Sequence, residues 1–542
     1  MTPSWDRPRD CTIGEVVARL AAAFPDRPAL IAPAHGWRLT FRELDARTLE
    51  AARAFHALGV RRGDRVTLWA ENVPEWIVVE LALARLGAIL VTANTALKPP
   101  EIEYLLRQSE SCAVLFTAGS DASPYAKSVA LAESRLPELR HAIFLGGTPP
   151  EGAPNRTRPW HELLELAASV PAEEVVAIER ALDPDDVINM QYTSGTTGFP
   201  KGVMLTHRNL VNNARAIGSA LGYVPGERLA LTVPLFHCFG CVVGTLGAYV
   251  SAVTICLLDR FDAARALDLV ATEQCTHLYG VPTHFRLLVE EQEARPRDLA
   301  TLRGGIMGGA PCPEELVRKL VTTLHMPEAV AAYGLTECSP GVTISAPDDP
   351  IELRATSVGR AFPDLDVRIF DPATRRELPR GATGELWVRG DCVMKGYWKK
   401  PEATAEVLLP DGWLRTGDLA VHGEDGRFRI VGRLKEMVIR GGENVYPAEV
   451  EAVLRSHPGV RDVAVFGVPD RVYGEEVCAA LLAKSTPAPT VEELRAFLKP
   501  RLAGVKIPTR LFAVDAFPMT ASGKVQKFRL AELFGPPSPP PK

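Results

Sequence analysis

The residues best suited to chemistry lie in one short segment, YTSGTTGFPKG, at positions 192–202. Its glycines let backbone N–H groups approach an anion closely, and its short hydroxyl side chains add hydrogen-bond donors. Lys201 adds a full positive charge. Together these groups suit a loop that wraps the oxygens of a polyphosphate. The segment is neither a Walker A loop, which needs Ser or Thr after Gly-Lys, nor the dinucleotide pattern G-x-G-x-x-G.

The flanking residues predict how this loop is positioned. The residues VINMQ before it are typical of a strand, and the residues HRNLVNNARAIGSA after it are typical of a helix. We therefore expect a strand–loop–helix unit. Such a setting argues against the alternative interpretation, a flexible surface linker.

Length, charge and cysteine content limit the class of protein. A chain of 542 residues is too long for one ordinary core, so we expect more than one domain. The 61 Lys and Arg residues nearly balance the 66 Asp and Glu residues, which predicts no basic face for nucleic acid. The ten cysteines are scattered, and the one close pair, Cys238 and Cys241, lies in an apolar stretch typical of core. Scattered thiols and a start without an apolar signal-peptide core, MTPSWDRPRD, predict a reducing, cytoplasmic setting.

One uncharged segment, CVVGTLGAYVSAVTICLL at 241–258, raises the question of a membrane span. Its glycines are followed by a run rich in β-branched residues, which indicates a helix and then a strand in a buried α/β core. We expect no transmembrane segment. Peripheral membrane contact and a homodimer stay open.

Helix and strand patterns alternate along most of the chain and predict largely parallel, layered sheets. The segment TFRELDARTLEAARAFHALGV opens with a capping box, Thr40 with Glu43, and a second box joins Thr490 to Glu493. A smaller unit with its own pattern begins after about residue 434. We predict an α/β fold with a large N-terminal domain of stacked sheets and helices at 1–432. A small α+β C-terminal domain follows at 433–542, with a disordered tail at 535–542.

Five segments together resemble the signatures of the AMP-forming adenylate enzymes, which include acyl-CoA synthetases, peptide-synthetase adenylation domains and beetle luciferases. YTSGTTGFPKG is similar to the phosphate loop, YGLTE (333–337) to the adenine and metal motif, and TGD (416–418) to the ribose motif. GRLKEMVIRGGENVYPAEVE (432–451) is similar to the hinge and thioester motif, and TASGKVQK (520–527) to the C-terminal lysine motif. They occur in the family's order across nearly the whole chain. The sequence as a whole most resembles those of medium- and long-chain fatty acyl-CoA synthetases.

The resemblance implies an acid–thiol ligase that works in two half-reactions. A carboxylate attacks the α-phosphate of ATP to give an acyl-adenylate and pyrophosphate, and a thiol then takes the acyl group and releases AMP. Mg²⁺ is the implied metal. Coenzyme A is the implied thiol, because no GGxS carrier-attachment pattern follows the C-terminal unit.

The resemblance also assigns roles in the N-terminal part. Thr336 touches the α-phosphate, Glu337 binds Mg²⁺, and Tyr333 lies against adenine. Gly309 and Ala310 line the base as well. The residues that hold the β- and γ-phosphates are Thr193, Ser194, Gly195, Thr196, Thr197, Gly198 and Lys201.

In the C-terminal part, Asp418 accepts hydrogen bonds from both ribose hydroxyls and Arg433 assists, the alternative being a plain surface ion pair. Lys524 reaches the α-phosphate and the substrate carboxylate during adenylation, and Lys435 falls at the hinge of a mobile lid. After adenylation the small domain rotates. The residues implied to replace Lys524 are then Gly441, Gly442 and Glu443.

The acyl substrate is predicted from the segment VPLFHCFG. His237 stands where amino-acid-activating relatives carry an Asp for the substrate amine, and residues 229–258 include no acid. A buried ammonium group would lack a partner there. The segment therefore argues against an amino acid as the substrate. The resemblance of the whole chain to medium- and long-chain fatty acyl-CoA synthetases implies a fatty acid, with a medium chain favoured over a long one, and gives His237 a role in gating the pocket or on its carboxylate side. Two rivals stay open: an aryl-CoA ligase, and a stand-alone adenylation enzyme that loads a carrier protein.

Overall fold

The computed structural model describes residues 6–120, 123–193, 200–310, 312–441, 443–484, 488–519 and 525–535. The chain divides into two compact units. Unit 1 consists of Met1–Val367 and Val388–Leu414, and unit 2 consists of Arg368–Trp387 and Arg415–Lys542. The domain boundary expected at 432/433 stays a prediction.

Unit 1 contains a nine-stranded sheet whose central strands are parallel and whose edges are antiparallel. The parallel strands follow helices, as the alternating sequence pattern predicts. In spatial order its strands are Arg360–Ala361, Gly341–Ile344, Glu328–Gly334, Gly304–Gly308, His277–Leu278, Arg228–Leu231, Thr254–Leu257, Pro28–Ala32 and Trp37–Thr40.

A second sheet of unit 1 has eight strands and is parallel except at one edge. Asn72, just after its strand Arg65–Trp69, donates from Nδ2 to the carbonyl oxygens of Val233 (3.0 Å) and Leu258 (3.1 Å), which ties it to the nine-stranded sheet. In spatial order its strands are Gly396–Tyr397, Lys201–Thr206, Val187–Thr193, Ile89–Thr92, Arg65–Trp69, Ala113–Phe116, His141–Phe144 and Arg158–Pro159. The pair Gly119–Ser120 and Ser123–Pro124 forms a separate ribbon.

Helices cover these sheets. The helix Phe41–Ala57 begins with the predicted capping box of Thr40 and Glu43, and almost every residue of Pro74–Leu86 is buried, Glu80 and Arg85 included. The other α-helices of unit 1 are Ile13–Ala23, Pro99–Ser109, Tyr125–Glu133, Trp160–Glu165, Ala172–Arg180, His207–Ala220, Gly247–Val250, Ala263–Glu273, Pro282–Ala294, Glu314–Thr322, Ile351–Thr356 and Pro401–Val407. Short 3₁₀ turns are Pro33–His35, Leu166–Ser169 and Thr336–Cys338.

The uncharged segment at 241–258 is buried inside unit 1. It continues a π-helix, Phe239–Leu246, into the helix Gly247–Val250 and the strand Thr254–Leu257, which confirms the predicted helix and strand. Over the described ranges, no helix combines the length and the hydropathy needed to cross a membrane.

Unit 2 is smaller and richer in antiparallel strands. Its helix Val491–Leu498 begins with the predicted capping box of Thr490 and Glu493. Its five-stranded sheet consists of Glu443–Val445, Val438–Arg440, Gly474–Ala483, Val460–Asp470 and Arg510–Ala513. Its further helical elements are Leu434–Glu436, Pro447–Arg455, Gly504–Lys506 and Lys527–Phe534. A four-stranded sheet is formed by Leu365–Phe370, Thr383–Gly390, Leu414–His422 and Phe428–Arg433. The two-part α/β architecture is confirmed.

The expected strand–loop–helix unit at the phosphate loop is wrong in one respect. Residues 201–206 form a strand that pairs antiparallel with Val187–Thr193, and the helix begins only at His207. The chain folds back along its own strand because pairing satisfies backbone N–H and C=O groups of that strand. The loop therefore connects two strands of a hairpin.

Candidate active site

The predicted adenine-side residues lie at the carboxyl edge of the nine-stranded sheet. The strands Gly304–Gly308 and Glu328–Gly334 run parallel with Gly308 opposite Ala332, so Gly309 and Ala310 leave the sheet beside Tyr333. Gly309 has φ +81°, a left-handed conformation that favours glycine. Gly309 and Ala310 are exposed. Parallel α/β sheets commonly bind ligands in a crevice at this edge.

A tight turn positions the two residues predicted to act on phosphate and metal. At Gly334 a Cβ atom would lie 2.0 Å from the carbonyl oxygen of Pro340, so only glycine fits where the strand ends. The 3₁₀ turn that follows contains Thr336, which is buried, and Glu337, which is partly buried. The two side chains are thus fixed by a packed backbone rather than by an exposed loop.

His237 and Thr336 approach the same thiol. The Cys238 Sγ atom lies 3.6 Å from His237 Nδ1 and 3.7 Å from Thr336 Oγ1. Cys238 is buried and immediately precedes the π-helix, a local widening often found at functional sites. From the sequence, Cys238 is predicted only to belong to the core. Its position directly after His237 is the signal that could have linked it to the site.

The structure places both ends of the phosphate loop. Thr193 and Lys201 lie opposite each other as the last strand pair before the loop. The predicted contacts Ser194, Gly195, Thr196, Thr197 and Gly198 lie outside the described residues. The hairpin therefore fixes the positions of Thr193 and Lys201, the two residues that flank the rest of the loop.

Tyr397 joins the loop to the metal motif, and the sequence analysis did not identify it. The Lys201 Nζ atom lies 4.9 Å from the centroid of the Tyr397 ring, and the Tyr397 hydroxyl donates to Glu337 Oε1 at 2.9 Å. Burial, and after it the Glu337 carboxylate, raises the pKa of Tyr397, which keeps the phenol a donor. Tyr397 is far from both partners in sequence, so spacing gives no signal for it.

In unit 2, Asp418 and Arg433 lie opposite each other on neighbouring antiparallel strands. Arg433 Nε is 3.0 Å from Asp418 Oδ1, and Asp418 is only 4% exposed although 49% of the Arg433 side chain is exposed. The turn before Asp418 is braced as well, because the Gly417 N–H donates to Glu385 Oε1 (3.1 Å) and the Asp418 N–H to Thr416 Oγ1 (3.0 Å). The pair combines a buried carboxylate with a solvent-facing guanidinium.

The predicted hinge and thioester residues lie on exposed backbone of unit 2. Lys435 belongs to the 3₁₀ turn Leu434–Glu436, and Gly441 and Glu443 belong to a hairpin in which Arg440 pairs with Glu443. All three are exposed. Gly441 has φ +60° and donates its N–H to the Tyr473 carbonyl at 2.8 Å. Gly442 and Lys524 lie outside the described residues.

Comparison with known proteins places the chain among nucleotide-dependent ligases. Residues 17–398 match the family AMP-binding enzyme, and residues 449–524 match the AMP-binding enzyme C-terminal domain. The protein YngI of Bacillus subtilis (strain 168) is 42% identical over 96% of this chain and 96% of its own length. The mitochondrial medium-chain acyl-CoA ligase ACSF2 of Mus musculus is 38% identical over 96% of this chain and 87% of its own length.

A solved structure agrees with this result. The ATP-bound crystal structure of MatB from Rhodopseudomonas palustris superposes with a TM-score of 0.82 at 30% identity, covering 96% of this chain and 99% of MatB. Both the fold and the sequence therefore match across nearly the whole protein. The chain belongs to the AMP-binding enzyme family, as an AMP-forming acyl-CoA ligase.

Proposed function

We propose that the protein is a fatty acid:CoA ligase whose preferred substrate is a medium-chain carboxylic acid. The observation that carries this proposal is the 38% identity, over 96% of the chain, to a mouse enzyme named as a medium-chain acyl-CoA ligase. ATP converts the acid to an acyl-adenylate with loss of pyrophosphate. Coenzyme A then takes the acyl group, and AMP leaves.

The surroundings of the π-helix favour an apolar acid. Residues 229–258 carry no acidic side chain and, apart from His237, no basic one, and residues 241–258 are buried throughout. One carboxyl group lies near them, that of Glu80 on the helix Pro74–Leu86, a residue that is 3% exposed. Burial raises the pKa of Glu80 well above its usual range, which favours its uncharged form. A substrate ammonium group would thus meet no counter-charge there.

For the phosphates, we propose that the loop and Lys201 bind the β- and γ-oxygens while Thr336 contacts the α-phosphate. The loop contributes Thr193, Ser194, Gly195, Thr196, Thr197 and Gly198. In this arrangement positive charge and hydroxyl donors stand ready where negative charge gathers, which is the usual basis of catalysis in phosphoryl chemistry. His237, 3.6 Å from the thiol that also approaches Thr336, is proposed to gate the acyl side of the same centre.

Glu337 is proposed to bind Mg²⁺. Among the described residues no cluster of three or more His, Cys, Asp or Glu side chains could hold a metal alone. One carboxylate fits Mg²⁺, which typically uses one or two carboxylates together with substrate phosphates and water. The ion supplies charge neutralisation for the polyphosphate. Glu337 contributes an oxygen ligand whose orientation the turn Thr336–Cys338 and Tyr397 fix.

The nucleoside contacts follow the motifs. Tyr333, with Gly309 and Ala310 beside it, is proposed to line adenine, and Asp418 to accept hydrogen bonds from the two ribose hydroxyls. Arg433 is proposed to hold Asp418 in place through their 3.0 Å ion pair. The low exposure of Asp418 supports a directional role over a plain surface ion pair.

For the second half-reaction, we propose that Lys524 serves adenylation and that Gly441, Gly442 and Glu443 serve thioester formation, with Lys435 at the hinge between the two arrangements. Exposure of Lys435, Gly441 and Glu443 suits residues that meet substrate in only one of two arrangements. Free coenzyme A is the proposed acceptor.

All ten cysteines are free thiols, which supports a reducing, cytoplasmic setting.

The test is AMP formation from ATP and Mg²⁺ with a panel of acids from acetate through octanoate and palmitate to benzoate, with and without coenzyme A. We expect CoA-dependent turnover that peaks at octanoate or a near neighbour. A peak at benzoate would replace the proposal with an aryl-CoA ligase. Adenylation that free coenzyme A never accelerates would replace it with an enzyme that loads a carrier protein.

A further inference from the structure

The segment 394–398 holds Glu337 at two points. The Met394 N–H donates to the Glu337 carbonyl oxygen at 2.9 Å, and the Tyr397 hydroxyl donates to Glu337 Oε1 at 2.9 Å. One bond fixes the backbone of the turn, and the other fixes the direction of the carboxylate. A group held at both points loses most of its rotational freedom before any ligand arrives.

The same segment is also fastened to the strand that begins with Lys201. The Lys395 N–H donates to the Met204 carbonyl at 3.0 Å, and the Trp398 N–H donates to the Gly202 carbonyl at 2.8 Å. Tyr397 lies opposite Val203 in this pairing, is 7% exposed, and carries the Lys201 ammonium group above its ring. The Lys201 ammonium group and the Glu337 carboxylate therefore both contact one rigid side chain, that of Tyr397.

The two contacts use different parts of the ring. Lys201 occupies the electron-rich face, an arrangement that favours a cation, whereas Glu337 accepts from the hydroxyl at the ring edge. A lysine and a carboxylate that both turn toward the β- and γ-phosphates would otherwise attract each other and form a direct ion pair. With Tyr397 between them, each has its own partner and stays directed at the nucleotide.

We propose that Tyr397 is a positioning residue that separates and orients Lys201 and Glu337. The two residues then bind phosphate and a divalent cation side by side instead of forming an ion pair with each other. This inference rests on the proposed function, because it takes Glu337 as the metal ligand and Lys201 as the phosphate ligand. In this inference Tyr397 acts through Glu337 and Lys201 and is assigned no contact with the acid or coenzyme A. Its hydroxyl serves the metal ligand, and its ring serves the lysine.

The experiment measures binding without turnover. Mn²⁺ binding is followed by electron paramagnetic resonance in the presence of α,β-methylene-ATP, and metal-free binding of the same analogue is measured by calorimetry. Tyr397→Phe removes only the hydroxyl and should weaken Mn²⁺ binding about tenfold, while metal-free nucleotide affinity stays within about twofold. Tyr397→Leu removes the ring as well and should weaken both.

Tyr125→Phe is the matched control, since it removes another buried hydroxyl, one that donates to the Thr95 carbonyl at 2.8 Å. It should match the wild type in both measurements, and circular dichroism should show all variants folded. Wild-type Mn²⁺ binding in Tyr397→Phe would overturn the inference, as would equal weakening by Tyr125→Phe. The assay contains no acid and no coenzyme A, so failure of the proposed ligase activity would appear separately, as a wild-type enzyme without AMP formation.

Discussion

The two units present their site residues in different ways. In unit 1, Thr336 and Glu337 are buried or partly buried, and Glu337 is held by Met394 and Tyr397. In unit 2, Lys435 and Glu443 are exposed, and among the predicted site residues described there only Asp418 is buried. The residues proposed for the α-phosphate and the metal, Thr336 and Glu337, are therefore held in place before substrate arrives, whereas the residues proposed for thioester formation that the structure describes lie on exposed turns.

This difference has a physical consequence for the two half-reactions. Preorganised donors stabilise developing charge without reorganisation during the reaction, so removing one such group should weaken nucleotide or metal binding directly. Exposed residues are ordered only when substrate contacts them, so removing one should affect only the half-reaction in which it takes part. Variants should therefore divide into two classes according to the unit and the burial of the substituted residue.

The largest expected effect is the separation of the half-reactions by Lys524→Ala. Removing the proposed cation at the α-phosphate should lower adenylate formation about 100- to 1,000-fold, the range found when one charge-stabilising donor is lost. Thioester formation from supplied acyl-adenylate and coenzyme A should stay within about threefold of wild type, because the proposed division of labour gives Lys524 no part in that step. Pyrophosphate exchange measures the first step, and acyl-CoA release measures the second.

Lys499→Ala provides the matched control, since Lys499 is an exposed lysine of unit 2 that no motif includes. It should leave both steps unchanged. If Lys524→Ala slowed both half-reactions equally, the proposed division of labour between Lys524 and the glycine hairpin would be wrong.

A smaller effect is expected at Asp418, the buried residue among the proposed site residues that the structure describes in unit 2. Asp418→Asn removes the charged acceptor proposed for the ribose and should raise the KM for ATP about 10- to 100-fold, as expected for hydrogen bonds to a charged group. Arg433→Ala leaves the acceptor in place and should raise it only about two- to fivefold. Steady-state kinetics with varied ATP, together with thermal unfolding, separate the two.

The comparison of those two variants also tests the plain ion-pair alternative. Arg433→Ala removes the contact between Arg433 Nε and Asp418 Oδ1, whereas Asp418→Asn keeps an oxygen that can accept but removes its negative charge. A purely structural pair predicts a loss of stability and an unchanged KM for ATP in both variants. That result would remove Asp418 from the nucleotide site.

Local patterns of the sequence predicted the elements that carry the motifs. The capping boxes at Thr40 and Thr490 mark real helix starts, and the strand Val187–Thr193 begins with the predicted segment VINMQ. These features depend on residues three or fewer positions apart or on an alternating pattern, so the chain shows them without a partner. The family resemblance added the order of the motifs, which local patterns cannot supply.

Contacts between distant segments were not predictable in the same way. The bonds of Tyr397 and the approach of Glu80 to Cys241 join segments far apart in sequence, and no spacing rule connects them. The strand Lys201–Thr206 was missed because its pairing with Val187–Thr193 depends on the loop turning the chain back. Tertiary pairing decided the structure of a short segment whose own pattern was weak.

A several-fold effect is expected from backbone strain in the exposed hairpin of unit 2. Gly441 has φ +60°, so Gly441→Ala forces a left-handed conformation on a residue with a Cβ atom, at a cost of about 1 kcal/mol. Thioester formation should fall about fivefold while pyrophosphate exchange stays unchanged. Gly504→Ala is the control, because a Cβ atom there meets nothing within 4 Å and φ is not positive. A fall in pyrophosphate exchange in Gly441→Ala would place the hairpin in both half-reactions.

The smallest expected effect on catalysis concerns Glu80. Substituting this residue tests whether a buried polar group of unit 1 that no motif includes also takes part in the reaction. Glu80 is 3% exposed, and within the described residues neither of its carboxyl oxygens has a hydrogen-bond partner. Its pKa is raised in the folded state by burial, so the folded protein keeps a proton that the unfolded chain releases. Stability should therefore fall as the pH rises above the unfolded pKa, about 4.5, and the penalty should vanish below it.

Glu80→Gln stays neutral at every pH and should flatten this dependence, while Glu80→Met should flatten it and add about 1 kcal/mol at pH 8 by removing an unpaired polar group. Urea unfolding between pH 5 and pH 8 measures both, and turnover with the preferred acid should stay within about twofold of wild type. If the free energy of unfolding changed with pH as steeply in both variants as in the wild type, Glu80 would be charged in the folded protein, with a partner for its carboxylate. Loss of turnover with unchanged stability would instead make Glu80 part of the acyl site. More of the buried polar groups of unit 1 would then serve catalysis than the comparison of the two units implies.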